Sequence, residues 1–370
     1  MPFFFLLTIT LASLLLAWPA HAGVTRTYYI AAEETLWDYA PNPHPPMHGE
    51  SMHEGEKIFV EGNGTDRIGS KYHKARFVEY TDASFERSKP RPPEWQHLGI
   101  LGPVIRANVS DTLKVVFKNK TQTMHTSIHP HGVFYRKDSE GTFYHDGTGP
   151  DDKKDDRLPP GATYTYTWQV PERSGPGPQD PNSIVWLYHS HADEAMDTNT
   201  GLVGPIIISR KGELQKNGKL KGVDREFVVL FSVMDENKSF FLDKNIESFA
   251  PQAREKKEDG EFRESNLKHS MNGYIFDNVP GLTMKLGENV RWYQLALGTE
   301  VDLHTPHWHG NTLLSGGQRI DVVNLLPATH ATVDMKADNP GNWMYHCHVN
   351  DHIEAGMMGH YVVLPRGQTD

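Results

Sequence analysis

Cysteine is nearly absent: the chain of 370 residues has one, Cys347. A single thiol excludes an internal disulfide, and with it the stapled scaffolds common among exported proteins. An exposed free thiol oxidises, so Cys347 is either a small buried core residue or a ligand. Charge is missing from the first 22 residues, which hold no Asp, Glu, Lys or Arg. There Phe3 to Trp18 forms an almost unbroken apolar run, followed by Ala20-His21-Ala22. The run is too short for a membrane span of roughly 20 apolar residues. Although it lacks the usual basic start, it reads as an export signal peptide cut after Ala22. No later segment is apolar enough to span, so the expected product is soluble and either secreted or periplasmic. Net positive charge is lacking too: the balance is −10, which argues against nucleic acid and mildly favours cationic partners.

Helical periodicity is also missing. "TLKVVFKN", "TYTYTWQV", "EFVVLFSV", "NVRWYQLAL" and "ATVDMKA" alternate, or run β-branched and aromatic, with Gly, Pro and Asn between them. The expected class is all-β, built as sandwiches of short strands. The chain also repeats itself. "VWLYHSH" (185–191) returns as "NWMYHCH" (342–348), "SIHPHG" (127–132) as "TPHWHG" (305–310), and "PPGATYTYTW" (159–168) as "LPATHATVDM" (326–335). One order of elements occurring twice means two copies of one fold. The polar stretch "KGELQKNGKLKG" is read as a linker over 211–222, between domains at 23–210 and 223–370.

Histidine is where the sequence is rich. Its 21 copies, scattered over 370 positions, would give roughly one H-x-H pair by chance. There are four: His129/His131, His189/His191, His307/His309 and His346/His348. Alternate residues of a strand face one side, so each pair can present two imidazoles together. Eight in two matched sets read as a polynuclear metal site. The second copy adds His304, and after Cys347 come His352 and Met357. Two imidazoles, a thiolate and a weak thioether make the trigonal blue-copper ligand set. Zinc, the rival for a His/Cys site, does not explain a histidine on each side of the thiolate. On this reading Cys347 binds one copper while His346 and His348 turn to the opposite face and bind others.

"HPHG", "HSH", "HTPHWHG" and "HCHVNDHIEAGM" resemble the four copper motifs of multicopper oxidases, which are built from cupredoxin domains. "YYIAAEETLWDYAP", "LGPVIRANVSD" and "ESNLKHSMNG" are similar to the ceruloplasmin/hephaestin branch, and the likeness runs over nearly the whole chain after residue 22. The fold implied is a pair of cupredoxin-like Greek-key β-sandwiches. The resemblance implies four coppers per chain: type 1 at His304, Cys347, His352 and Met357; type 2 at His129 and His307; and a type 3 pair at His131, His189, His191, His309, His346 and His348. It implies one-electron oxidation of a substrate coupled to reduction of O2 to water. In the first copy Ser190 replaces the cysteine, Ala195 aligns with His352, and Thr200 or Leu202 stands at the axial position, so no type 1 site is expected there.

The six-domain relatives close a ring in which the cluster joins the first and last domains. A homotrimer of two-domain chains would reproduce it, with clusters between subunits. Asp146 resembles the acid that relatives place near the cluster, and reads equally as a turn Asp before Gly. "DDKKDDRLPPG" (151–161) resembles a calcium loop through Asp155 and Asp156, and reads at least as well as a solvated charge run. The His/Met stretch 41–55 reads as a flexible loop. Sequons stand at Asn63, Asn108, Asn119 and Asn237.

In ceruloplasmin-type ferroxidases, iron binds beside the type 1 copper. Glu264, His269 and Asp351 match that set, and Glu300 matches a fourth ligand contributed by a neighbouring domain. Fe2+ is therefore the first expected reductant. A laccase-like oxidase of phenols or other organic reductants is the alternative. Copper nitrite reductase would need a blue-copper site in the first copy, and a non-catalytic copper-binding protein would not need a complete cluster.

Overall fold

In the computed structural model, residues 23–42 and 52–368 are described. The expected leader over 1–22 and most of the 41–55 loop lie outside them. The chain is all-β, with eighteen strands and only short helices among the described residues. The first half supplies β1 (Thr25–Asp38), β2 (Lys71–Tyr80), β3 (Ile105–Asn108), β4 (Thr112–Asn119), β5 (His129–Pro130), β6 (Thr163–Gln169), β7 (Ser183–His189) and β8 (Val203–Ser209). The second half begins with β9 (Arg225–Asp235), β10 (Leu267–Met271), β11 (Thr283–Lys285), β12 (Asn289–Ala296) and β13 (Pro306–Trp308). It continues with β14 (Leu313–Ser315), β15 (Gln318–Ile320), β16 (His330–Lys336), β17 (Gly341–Cys347) and β18 (Met358–Leu364).

The internal repeat is visible in the sheet order. β2-β1-β4-β6 and β3-β8-β7-β5 form the first half. β10-β9-β12-β16, extended by β14 and β15, and β11-β18-β17-β13 form the second. Each pairing keeps its sense: β1 runs parallel to β4 as β9 does to β12, and β3 parallel to β8 as β11 does to β18. These are the two cupredoxin-like sandwiches that the resemblance implied. Each encloses its own core, around Trp168, Tyr166 and Phe117 in the first and Trp292, Trp308 and Tyr345 in the second.

Several strands are buried along their whole length instead of alternating. β8 reads "VGPIIIS" and is buried throughout, and β12 is buried from Val290 to Ala296. A strand loses alternation when both faces are covered. One face looks into its own sandwich, and the other meets the opposite half in an apolar layer that includes Leu187, Ile207, Val228, Leu230 and Leu295. Polar ties cross the same seam: Arg106 donates two bonds of 2.9 Å to Glu226, and Lys74 pairs with Glu236 where both side chains are fully buried. The 211–222 stretch packs down, with Leu214 and Leu220 buried and bridged. Asn108 exchanges two bonds with the Leu214 backbone. No helix among the described residues is long and apolar enough to cross a membrane.

Candidate metal centre

Strand pairing sets the histidines side by side. His129 on β5 lies opposite His189 on β7, and His307 on β13 opposite His346 on β17. Opposite residues in an antiparallel pair project on one side, so the pairing and the H-x-H spacing together gather four imidazoles per half. In the first set, neighbouring ring centres are 5.2–5.6 Å apart. In the second they are 4.5–5.4 Å apart. Ring contacts run within each set, and none joins the two sets among the described residues.

The polarity of these rings is set from behind. His189 donates its Nδ1–H to the Ser190 carbonyl at 3.0 Å, and His346 donates its own to the Cys347 carbonyl at 2.7 Å. That leaves Nε2 of each ring bare. Nε2 of His189 faces Nε2 of His131 at 3.1 Å; Nε2 of His346 faces Nε2 of His309 at 3.0 Å and Nδ1 of His307 at 3.2 Å. Each bare nitrogen can accept an N–H from the facing neutral ring, or share a cation with it. Burial keeps these rings neutral, pulling His189 down to about 3 and His129 and His346 down to about 4. Neutral imidazoles with pinned far nitrogens have the state a metal ligand needs, and an all-imidazole set suits copper. His129 donates Nδ1–H to the Glu140 carbonyl at 2.6 Å, whereas His191 meets Glu194 at 3.0 Å, which raises its pKa.

On the other side of Cys347 a second group forms. Nδ1 of His304 and Nδ1 of His352 are 3.2 Å apart, and Sγ lies 3.9 and 3.6 Å from them. All three residues are buried. Burial raises the thiol's pKa, but hydrogen bonds from the two imidazoles and from the Thr305 and Val349 N–H groups outweigh it and bring it to about 6. Met357 is fully buried, and its carbonyl accepts the Cys347 N–H at 3.0 Å. Two imidazole nitrogens and a thiolate of low pKa fit copper in a blue site.

Asp302 is a residue the sequence reading missed. Its buried carboxylate accepts Nε2–H of His304 at 3.1 Å, together with the Val233 N–H at 2.7 Å and the Thr299 N–H at 2.8 Å. It therefore holds the His304 proton on the nitrogen away from the thiol. D-x-H is a weak motif, and only the fold turns that carboxylate back onto the ring. In the first half Ser190 stands where Cys347 would, and its hydroxyl donates to buried Asp197 at 2.6 Å. A hydrogen-bonded serine and carboxylate fill that place.

The expected iron residues are partly gathered. The His269 ring lies 5.2 Å from that of His352, with Nδ1 buried and unpartnered. Glu264, Asp351 and Glu300 are exposed and form no compact ligand group with it among the described residues. Asp146 sits in an ion-paired turn, 2.8 Å from Lys153 and 3.0 Å from Lys137, bonded also to Thr148. Those partners hold its carboxyl well below the usual range. Asp155 and Asp156 are buried, unlike a solvated charge run; Asp155 has one oxygen without a partner, and burial raises its pKa to about 6. Asn119 is also fully buried, with its amide donated to the Met124 and Leu158 carbonyls.

Two sequence models described as multicopper oxidase match residues 78–213 and 247–367. Ferroxidase HEPHL1 of Homo sapiens is 46% identical over 345 residues, 92% of this chain and 29% of the relative. Ceruloplasmin of Rattus norvegicus is 45% identical over 346 residues, 91% of this chain and 32% of the relative. The chain thus spans roughly 30% of the length of these curated relatives. A solved structure described as a multicopper oxidase aligns with a TM-score of 0.56 at 20% identity, covering 92% of this chain and 89% of that one; this likeness speaks for the fold alone. The two matched segments fall one on each half and include all eight paired histidines and the Cys347 group, so the chain belongs to the multicopper oxidase family.

Proposed function

We propose that the chain is a ferroxidase-type multicopper oxidase, coupling oxidation of Fe2+ to reduction of O2 to water. One observation carries the oxidase reading. Cys347 stands with His304 and His352 on one side, while its chain neighbours His346 and His348 belong to the histidine set on the other. The two groups are therefore joined by covalent bonds, the shortest connection a protein can supply. When bound, copper would supply one-electron transfer at the Cys347 group and four-electron O2 reduction at the histidine sets.

The proposed type 1 ligands are His304, Cys347, His352 and Met357. The proposed type 2 ligands are His129 and His307, and the type 3 ligands His131, His189, His191, His309, His346 and His348. The separation of the two four-histidine sets within one chain supports a homotrimer whose trinuclear sites lie between subunits. The matching sheet orders support two domains at 23–210 and 223–370. The unpartnered oxygen of buried Asp155 supports a calcium site, and the apolar N-terminal run supports export.

For iron, His269 beside His352 would supply one nitrogen, and Glu264 and Asp351 would supply anionic oxygen. Carboxylates stabilise Fe3+ more than Fe2+, because the more highly charged hard ion gains more from them, and so favour loss of the electron. Glu300 would come from an adjacent subunit. The exposure of these acids, ungathered in the free chain, favours a second reading, a laccase-like oxidase of organic reductants. Glu264→Ala combined with Asp351→Ala separates the two. In the ferroxidase, kcat/KM for Fe2+ falls about tenfold or more, ~1.4 kcal/mol of transition-state binding, while a bulky phenol is oxidised nearly as before. Equal losses on both substrates with the blue site intact, or an undiminished Fe2+ rate, would return the laccase reading.

A further inference from the structure

Lined by none of the copper residues, a cavity of about 410 Å³ opens against β2, the turn Pro93–Leu98 and the start of β3. That size lies within the range of small-molecule sites, ~300–1,000 Å³. Its cationic side chains are unequally compensated. Lys89 is paired with Glu79 at 2.9 Å, and Arg106 with Glu226. Arg91 donates to the Gly99 and Leu101 carbonyls at 2.7 and 2.5 Å, which satisfies N–H groups but brings no negative charge. The Arg76 side chain, half-buried in the wall, makes no hydrogen bond or ion pair with any described residue. Burial and the nearby Arg76 charge together pull Arg91 down to about 10. In a chain of net charge −10, two guanidiniums face a cavity whose carboxylate, Glu79, is already paired with Lys89, an arrangement that an anion relieves.

Tyr28 and Ser88 add polar groups to the wall, and the rest of it is apolar. Trp95, stacked over Arg106 at 6.0 Å, lines it together with Phe77 and Pro103. A bare inorganic anion would meet the guanidiniums but leave the indole and the proline uncovered. We propose that this cavity binds a small organic anion: a carboxylate held between Arg76 and Arg91, carried on a flat apolar body that lies against Trp95. Because Trp95 and Leu98 also pack into the apolar seam between the halves, the occupied site braces that seam.

The test is isothermal titration of the full copper-loaded protein with three probes: 2-naphthoate, its neutral alcohol 2-naphthylmethanol, and inorganic phosphate. Naphthoate is expected to bind one to one and to raise the melting temperature, and each of the other probes to bind at least about tenfold more weakly. Arg76→Gln should weaken naphthoate about tenfold. The unliganded variant should melt no lower than the parent, since it loses no intramolecular bond and sheds a repulsion. Three outcomes overturn the proposal: no naphthoate binding to the parent, equal affinity for Arg76→Gln, or phosphate or the alcohol binding as tightly as naphthoate.

Discussion

Cys347 and Asp302 act on the same ring, His304, from opposite sides. The thiol sits against Nδ1, and the carboxylate fixes the proton on Nε2. Cys347→Ser substitutes a hard hydroxyl for a thiolate of low pKa; the copper-loaded variant should lose its intense blue band and its oxidase turnover. A strong blue absorption surviving in that variant would sink the type 1 assignment. Asp302→Asn is subtler. Its carboxylate receives three N–H donors in a buried place, and the amide NH2 must turn toward one of them. The expected cost is ~1–3 kcal/mol of stability, with the blue band shifted rather than lost. Denaturant titration and the visible spectrum of one preparation report both effects.

At the scale of the elements, both halves use one device to bring histidines together: an H-x-H strand end closed by glycine. Gly132 and Gly310 follow the first pair of each half with φ of +73° and +72°. A Cβ there would lie 2.1 Å from Trp186 and 2.4 Å from Trp343. Gly132→Ala and Gly310→Ala should therefore each cost ~2 kcal/mol or more, from left-handed backbone strain and displacement of an indole. Calorimetry of each variant checks this. The strands also carry a pH signature. Burial keeps His129, His189 and His346 at about 4, about 3 and about 4, against ~6.5 in an unfolded chain. Between those limits the unfolded state binds more protons, so copper-free protein should lose stability as pH falls from about 6.5 toward about 4. An unfolding free energy that stays flat across this window would contradict the buried neutral state of these rings.

For the whole molecule, the decisive feature is that four imidazoles gather in each half and no ring contact joins the two groups among the described residues. If trinuclear sites form between subunits, a first-half mutant (His189→Ala with His191→Ala) and a second-half mutant (His346→Ala with His348→Ala) should each be inactive alone. Refolded together, they should recover part of the O2 uptake, because mixed assemblies pair an intact half-site from each parent. A dilute monomer carrying four coppers and full activity would rule this assembly out.

The sequence by itself determined the strand class, the doubling of the fold and the residue types suited to copper. Those features are written locally: alternation along a strand fixes which side chains share a face, and H-x-H, repeated four times, needs no tertiary information to be counted. The partners of those residues were not legible, because they arrive from distant chain positions. Tertiary structure alone turned Asp302 onto His304, buried Asp155 and Asn119 in stretches that read as solvated loop and sequon, and gave Ser190, which already marked the missing first-half copper group, its bond to Asp197. It also decided that uninterrupted apolar strands such as β8 face a second half as well as their own core, and that Arg76 and Arg91, fifteen positions apart in sequence, line one cavity. Burial and counter-charge depend on which surfaces meet, and in this chain the meeting surfaces are those of two copies of one sandwich.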